Sequence, residues 1–239
     1  MQRFLMERKA KAFMFGYGKS SSFVAKQLSY ESLHLSLILS TQEAYDQAYA
    51  DGYVDVKKID MTDDSELEKL EVGEEDYLIC VLEDKHLNVF LTLSLHALFP
   101  KTMIIALSDS MHTTQKLKMA GAKRIIDLYQ VSANRLHNIL HKPVTTQLVD
   151  RLLSPNEDFS FKEMIIPQNS IIDKVMVDTF DFTQHHVIMV GMIDNRLSKK
   201  FIFVTSGVEN RFDSGDTIVC IGYNTDLEKF EAYINEVKR

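Results

Sequence analysis

The sequence predicts an α/β fold, a Rossmann-like doubly wound parallel sheet followed by a small α+β C-terminal lobe. Three observations carry this expectation. Short apolar runs recur about every 20–25 residues from Ala12 to Leu128 and alternate with stretches of helical periodicity, the pattern of strand–helix crossovers. The first run ends in a Gly16-Tyr17-Gly18 break that leads straight into helix-spaced apolar residues. Beyond Ser154-Pro155-Asn156-Glu157-Asp158 the alternation gives way to short strand-like runs and one closing helix. The organisation expected is a first lobe over 1–130, a helical crossover segment over 131–154 and a second lobe over 155–239.

Residues 12–15 form a first buried strand, and Phe23, Val24, Gln27 and Leu28 recur at helical spacing after the glycines. The run 33–39 is a second strand. A short helix over 41–51 turns Ala44, Tyr45 and Ala48 inward and ends at Gly52. A third strand is expected over 54–59, then a helix over 65–70 capped by Asp63 or Asp64. The run 77–82 (Tyr-Leu-Ile-Cys-Val-Leu) is the clearest central strand. The helix over 85–99, stopped by Pro100, carries Leu87, Val89, Phe90, Leu91, Leu93, Leu95, Leu98 and Phe99. That exceeds one stripe, so both sides should be buried, one on the sheet and the other on another subunit. A fifth strand over 103–107, a helix capped by Ser108-Asp109-Ser110 and closed by Gly121, and a sixth strand over 124–128 complete the lobe. Residues 131–153 are mostly helical with a break before Pro143. The second lobe is expected to hold strands over 159–166, 174–178, 186–193, 201–204 and 217–221, with a helix over 227–237.

Composition sets bounds on function. The 239 residues are 45% hydrophobic and 26% charged, ordinary for a globular protein with a sizeable core. A net charge of −7 argues against a nucleic-acid partner, which needs a basic face. Cys80 and Cys220 sit inside apolar runs, as buried reduced thiols do, which fits a cytosolic compartment. No apolar run approaches the ~18–20 residues that span a bilayer, and residues 1–9 lack a signal peptide's apolar region. Direct membrane insertion is not expected.

Unpaired amides at the start of the first helix make the glycine turn a natural seat for a phosphate or carboxylate, although an α/β turn can also bind nothing. The dinucleotide fingerprint is incomplete: its third glycine is Ser21, and the strand end that usually supplies a ribose-binding acid reads Ser40, with Glu43 the nearest acid. Ligands of doubly wound sheets bind beyond the strand carboxyl ends, where Gly16, Gly18, Ser40, Asp60, Leu82, Glu83, Asp84, Ser108 and Asp109 should converge. Asp84 and Asp109 are a candidate cation pair, or more simply helix caps. His185-His186 does not suit a metal, because neighbours on a strand point to opposite faces. His112 is read as solvated, and Met14, Met111 and Met119 as core filling. Ser20, Ser21 and Ser22 have no legible His–Asp partners, and the second lobe offers no His or Lys set to serve a nicotinamide. Enzymatic activity, including that of an NAD-dependent oxidoreductase, is therefore not expected.

Several segments, taken in order, resemble the RCK or TrkA-type family that regulates potassium conductance, with TrkA-N and TrkA-C lobes. In the first half they are Phe15-Gly16-Tyr17-Gly18, Asp60, Glu83-Asp84 and Leu117-Lys-Met-Ala-Gly-Ala-Lys-Arg-Ile-Ile126. In the second they are Ile166-Pro-Gln-Asn-Ser170, Ile172-Asp-Lys174 and Phe212-Asp-Ser-Gly-Asp-Thr-Ile-Val-Cys-Ile-Gly222. The resemblance covers nearly the whole chain. It implies a ligand-sensing gating-ring domain of a potassium channel, cytoplasmic and at the inner face of the membrane. The alternative is a separate peripheral subunit of a Trk/Ktr-type transporter. Ser21 and Ser40 depart from transporter-type members and are more similar to modules attached to a channel pore. Calcium-gated members place paired acids near the fifth strand's end, where this chain has Asp109 with Leu107 at the partner position. The resemblance further implies pairing across the helices of 131–153 and assembly into a ring of eight beneath a tetrameric pore. It implies an anion seat of Gly16, Gly18, Ser20 and Ser21, with Ser40 and Asp60 on a ribose or base. NAD(H), ATP, ADP and a regulatory cation all remain open as ligands.

Overall fold

The computed structural model describes residues 10–19, 21–29, 34–154, 157–195, 200–204 and 210–237. Ser20 lies outside the described residues. The chain forms two compact units, 1–136 and 137–239.

The first unit is a six-stranded parallel sheet made of β1 (Lys11–Phe15), β2 (His34–Leu39), β3 (Val56–Lys58), β4 (Tyr77–Cys80), β5 (Met103–Ser108) and β6 (Arg124–Asp127). Their order is β3-β2-β1-β4-β5-β6, which reverses direction between β1 and β4 and so opens a crevice at their carboxyl ends. Alternation along the strands serves two cores. Phe13, Phe15, Ile38, Leu78, Cys80, Ile104 and Ala106 face one side. They are covered by Leu67 of α3 (Asp64–Glu68), Leu91 and Leu95 of α4 (Lys85–Leu98) and Leu117 of α5 (Met111–Met119). Ala12, Met14, Leu37, Leu39 and Ile79 face the other, under Ala25 of α1 (Ser21–Ser29) and Ala48 of α2 (Gln42–Ala50). A sheet buried on both faces explains why its strands read as near-continuous apolar runs.

The helix caps follow from local chemistry. Thr41, Asp63, Asp84 and Ser110 each accept a backbone N–H of the first helical turn, which satisfies donors that the helix cannot. On α4 the buried positions are Asn88, Leu91, Thr92, Ser94 and Leu95, whereas Phe90 and Leu93 are about half exposed at 46% and 53%. The second apolar face expected on this helix is therefore present, and this chain leaves it uncovered. Met14 is fully buried, but Met111 and Met119 are exposed, contrary to the core role expected of them. The narrow inner stripe of α5 is Thr113 and Leu117, and both methionines fall outside it.

Beyond β6 come α6 (Leu128–His141) and α7 (Pro143–Leu152), with Pro143 at the first turn of α7, where a missing N–H costs nothing. Not one residue of α6 is buried.

The second unit holds an antiparallel sheet in the order β7-β10-β8-β9, from β7 (Phe159–Ile165), β8 (Val187–Ile193), β9 (Phe201–Phe203) and β10 (Thr217–Tyr223). Helix α8 (Asn224–Ile234) lays Leu227, Phe230 and Ile234 against Met164, Val187, Met189, Phe212, Ile218 and Cys220. The strand expected over 174–178 does not form. Lys174 takes a left-handed φ of 69°, which breaks an extended backbone, and Val177–Thr179 is a 3-10 turn. His185 and His186 also lie off the strand. His185 ends a 3-10 turn and packs on Phe180, Phe230 and Tyr233, and His186 is left-handed at φ 55°. Cys80 and Cys220 are buried free thiols, and burial pushes both up to about 12.

Candidate functional site

The glycine turn between β1 and α1 is held by close approach. Gly16 has φ +108°, and a Cβ there would lie 3.1 Å from Leu82 Cδ2 and 3.2 Å from the Val81 carbonyl oxygen. Only glycine fits that conformation and that spacing. At Gly18 a Cβ would meet Glu83 Oε1 at 2.7 Å, so the carboxylate of Glu83 lies directly on the turn. The Gly18 N–H donates to Ser21 Oγ at 2.8 Å, and Ser21 is almost fully buried. Between the glycines, the Tyr17 hydroxyl donates to Asp51 Oδ2 at 2.6 Å and its ring meets that of Tyr53 edge-on. Burial, together with the carboxylate of Asp51, raises the phenol well above its ordinary value.

Two clefts flank this turn. One, of ≈ 170 Å³, brings together Gly16, Ser21, Ser40, Thr41, Met61 and Glu83. The other, of ≈ 240 Å³, has Ser21, Glu83, Lys85, Ser108, Asp109 and Thr113 on its walls. Ser21, Val81, Leu82 and Glu83 belong to both. Among the residues expected to converge, Gly16, Ser40, Leu82, Glu83, Ser108 and Asp109 do line the strand-end clefts, as does Ser21 of the expected anion seat.

Gly18, Asp60 and Asp84 do not line them. Asp60 turns back on its own loop, accepting from the Thr62 hydroxyl at 2.6 Å and from the Thr62 N–H at 2.9 Å, which together hold its carboxyl below the ordinary value. The buried Met61 lines the cleft instead. Asp84 caps α4, and the N–H groups of Leu87 and His86 hold its carboxyl down. Asp109 Oδ2 pairs with Lys85 Nζ at 2.6 Å, an interaction that raises the lysine. Its Oδ1 is buried and has no hydrogen-bond partner among the described residues. The two aspartates are thus committed to different partners, a cap and an ion pair. Among the described residues, no three His, Cys, Asp or Glu side chains gather to hold a metal ion.

Sequence reasoning missed Asn88. This buried amide accepts the Leu82 N–H and donates to the Leu107 carbonyl, each at 3.2 Å, and so ties together the strand ends that frame the second cleft. The available signal was a polar residue at i−3 and i−7 from the core positions Leu91 and Leu95.

Residues 13–128 match the family described as the TrkA-N domain. Potassium channel protein 1 of Methanocaldococcus jannaschii is 24% identical over 226 residues, covering 93% of this chain and 66% of that protein. Probable potassium channel protein 2 of the same organism is 24% identical over 237 residues, covering 94% of this chain and again 66% of that protein. The chain thus spans slightly under two thirds of the length of these relatives. The human SLO3 gating ring shares the fold, with a TM-score of 0.62 at 14% identity over 92% of this chain and 45% of that one. The first unit accordingly carries the TrkA-N match, in a chain that is similar to potassium channel proteins over more than nine tenths of its length.

Proposed function

We propose that this chain is the ligand-sensing regulatory module of a potassium channel, acting from the inner face of the membrane on a pore that lies elsewhere in the protein. The observation that carries this reading is the similarity to a potassium channel protein across 93% of the chain, together with the TrkA-N match. Among the described residues no helix is long and apolar enough to cross a membrane. Copies would pair through α6 and α7 and assemble into a ring of eight. Support comes from α6, whose Leu128, Tyr129, Val131, Leu136, Ile139 and Leu140 are all substantially exposed. Ligand in the strand-end clefts would gate the pore only by favouring one ring shape over another.

For the ligand, the clefts around Gly16, Ser21 and Ser40 suit a nucleotide better than a lone cation, because Asp84 is engaged in capping and Asp109 in its pair with Lys85. ADP, ATP and NAD(H) share the required chemistry, a nucleoside joined to an anionic diphosphate.

An immunoblot of membrane and soluble fractions from the native source tests the attachment. The expected result is a membrane-bound band well above 27.5 kDa, the mass of this chain. A 27.5 kDa band that salt washes off membranes would overturn it in favour of a separate transporter subunit.

A further inference from the structure

A carboxylate of the chain itself stands beside the glycine turn. Oε1 of Glu83 sits where a side chain on Gly18 would begin, 2.7 Å from the ideal Cβ position, at the amino end of the nine-residue helix α1. Peptide dipoles at that end favour negative charge, and the Glu83 carboxylate stands within reach of it. Lys85, two residues further on, does not draw Glu83 away, because its ammonium pairs with Asp109 at 2.6 Å. Ser21 completes the occupancy by accepting the Gly18 N–H.

The placement of Glu83 also divides the crevice. Ser21, Val81, Leu82 and Glu83 are shared by the ≈ 170 Å³ and ≈ 240 Å³ clefts and so form a septum between them. In a doubly wound sheet a ligand's diphosphate lies on the glycine turn with a nucleoside to one side, and that is where the septum stands. A nucleoside can enter one cleft with the septum in place, whereas a diphosphate has to displace the Glu83 carboxylate. Glu83 is exposed and lies in the loop between β4 and α4, next to the cap Asp84, so a side-chain rotation suffices to open the seat.

We propose that Glu83 is a resident anion that competes with the ligand's diphosphate for the glycine turn and thereby sets the concentration at which the module responds. This rests on the nucleotide reading given above. Specificity then divides between two parts of the site: the clefts read the nucleoside, and Glu83 imposes an electrostatic threshold on the phosphates.

The test is calorimetric titration of the 239-residue chain with ADP and with adenosine, for wild type, Glu83→Gln and Glu83→Asp, with thermal melts to establish that all three are folded. Glu83→Gln should bind ADP on the order of tenfold more tightly than wild type, the gain shrinking at high salt, while adenosine affinity changes less than twofold. Glu83→Asp keeps the charge but reaches less far, and should fall between the two. Equal ADP affinity in wild type and Glu83→Gln would overturn the proposal and leave the nucleotide reading intact. An equal gain for adenosine would also overturn it, by reducing Glu83 to a steric obstacle. Failure of every form to bind either compound would overturn both the nucleotide reading and the proposal.

Discussion

Asn88 shows how much one side chain can organise around a cleft. Its amide bonds the ends of β4 and β5, so Asn88→Ala leaves the Leu82 N–H and the Leu107 carbonyl without their side-chain partner. Loss of about 1–3 kcal/mol of stability is expected, read as a lower urea midpoint at unchanged slope. At this scale the sequence was only partly legible. Gly16, Ser21 and Ser40 could be placed from the strand–turn–helix pattern alone, because local order fixes where such residues fall. The direction in which Asp60 points could not, since that depends on whether its carboxylate bonds Thr62 or faces the crevice, and both suit the same residue. Nor could the contact between Gly18 and Glu83, which comes from distant parts of the chain and exists only once β1 and β4 pair in register.

Elements were more legible than residues. Six strands and their order-setting helices follow from periodicity, which survives uncertainty of a residue or two at each end. The expected strand over 174–178 failed for a reason that periodicity does not encode, the left-handed backbone at Lys174. The two misread methionines of α5 show a related difficulty: an apolar residue signals burial without saying by what. The same ambiguity on α6 yields a prediction. Leu136 and Leu140 are 62% and 76% exposed on one face of that helix. If pairing buries this face, the double change Leu136→Glu and Leu140→Glu converts a dimer to a monomer in sedimentation velocity. An unchanged sedimentation coefficient would remove α6 from the interface.

Over the whole molecule, acidification should act through two opposing sets of carboxyls. In the first unit, backbone N–H groups and neighbouring hydroxyls hold the carboxyls of Asp63, Asp84 and Asp127 below 3.8. Their stabilisation is therefore present above about pH 4 and lost as the pH falls through their folded values. Asp181 of the second unit is held down in the same way by Thr183 and Gln184. Asp216 of that unit is instead fully buried, and desolvation raises its carboxyl above 3.8. The folded state takes up that proton first, so stability falls as pH rises from 3.8 through the folded value and recovers on acidification. Asp216→Asn should remove this opposing slope, measured as the pH dependence of amide-exchange protection in β10. A slope identical to wild type would show that Asp216 does not carry it.

Helix α6 has a consequence that reaches beyond assembly. Not one of its 14 residues is buried among the described residues, and an isolated helix of that length is marginal in water. If copies pair through it as proposed, its order becomes a matter of mass action, secured when a second copy is at hand and lost when copies are scarce. An orphan copy would present a frayed apolar peptide, the kind of segment that cellular proteases cut. The chain would in that way carry its own stoichiometry control, with survivors counted by whether they found a partner.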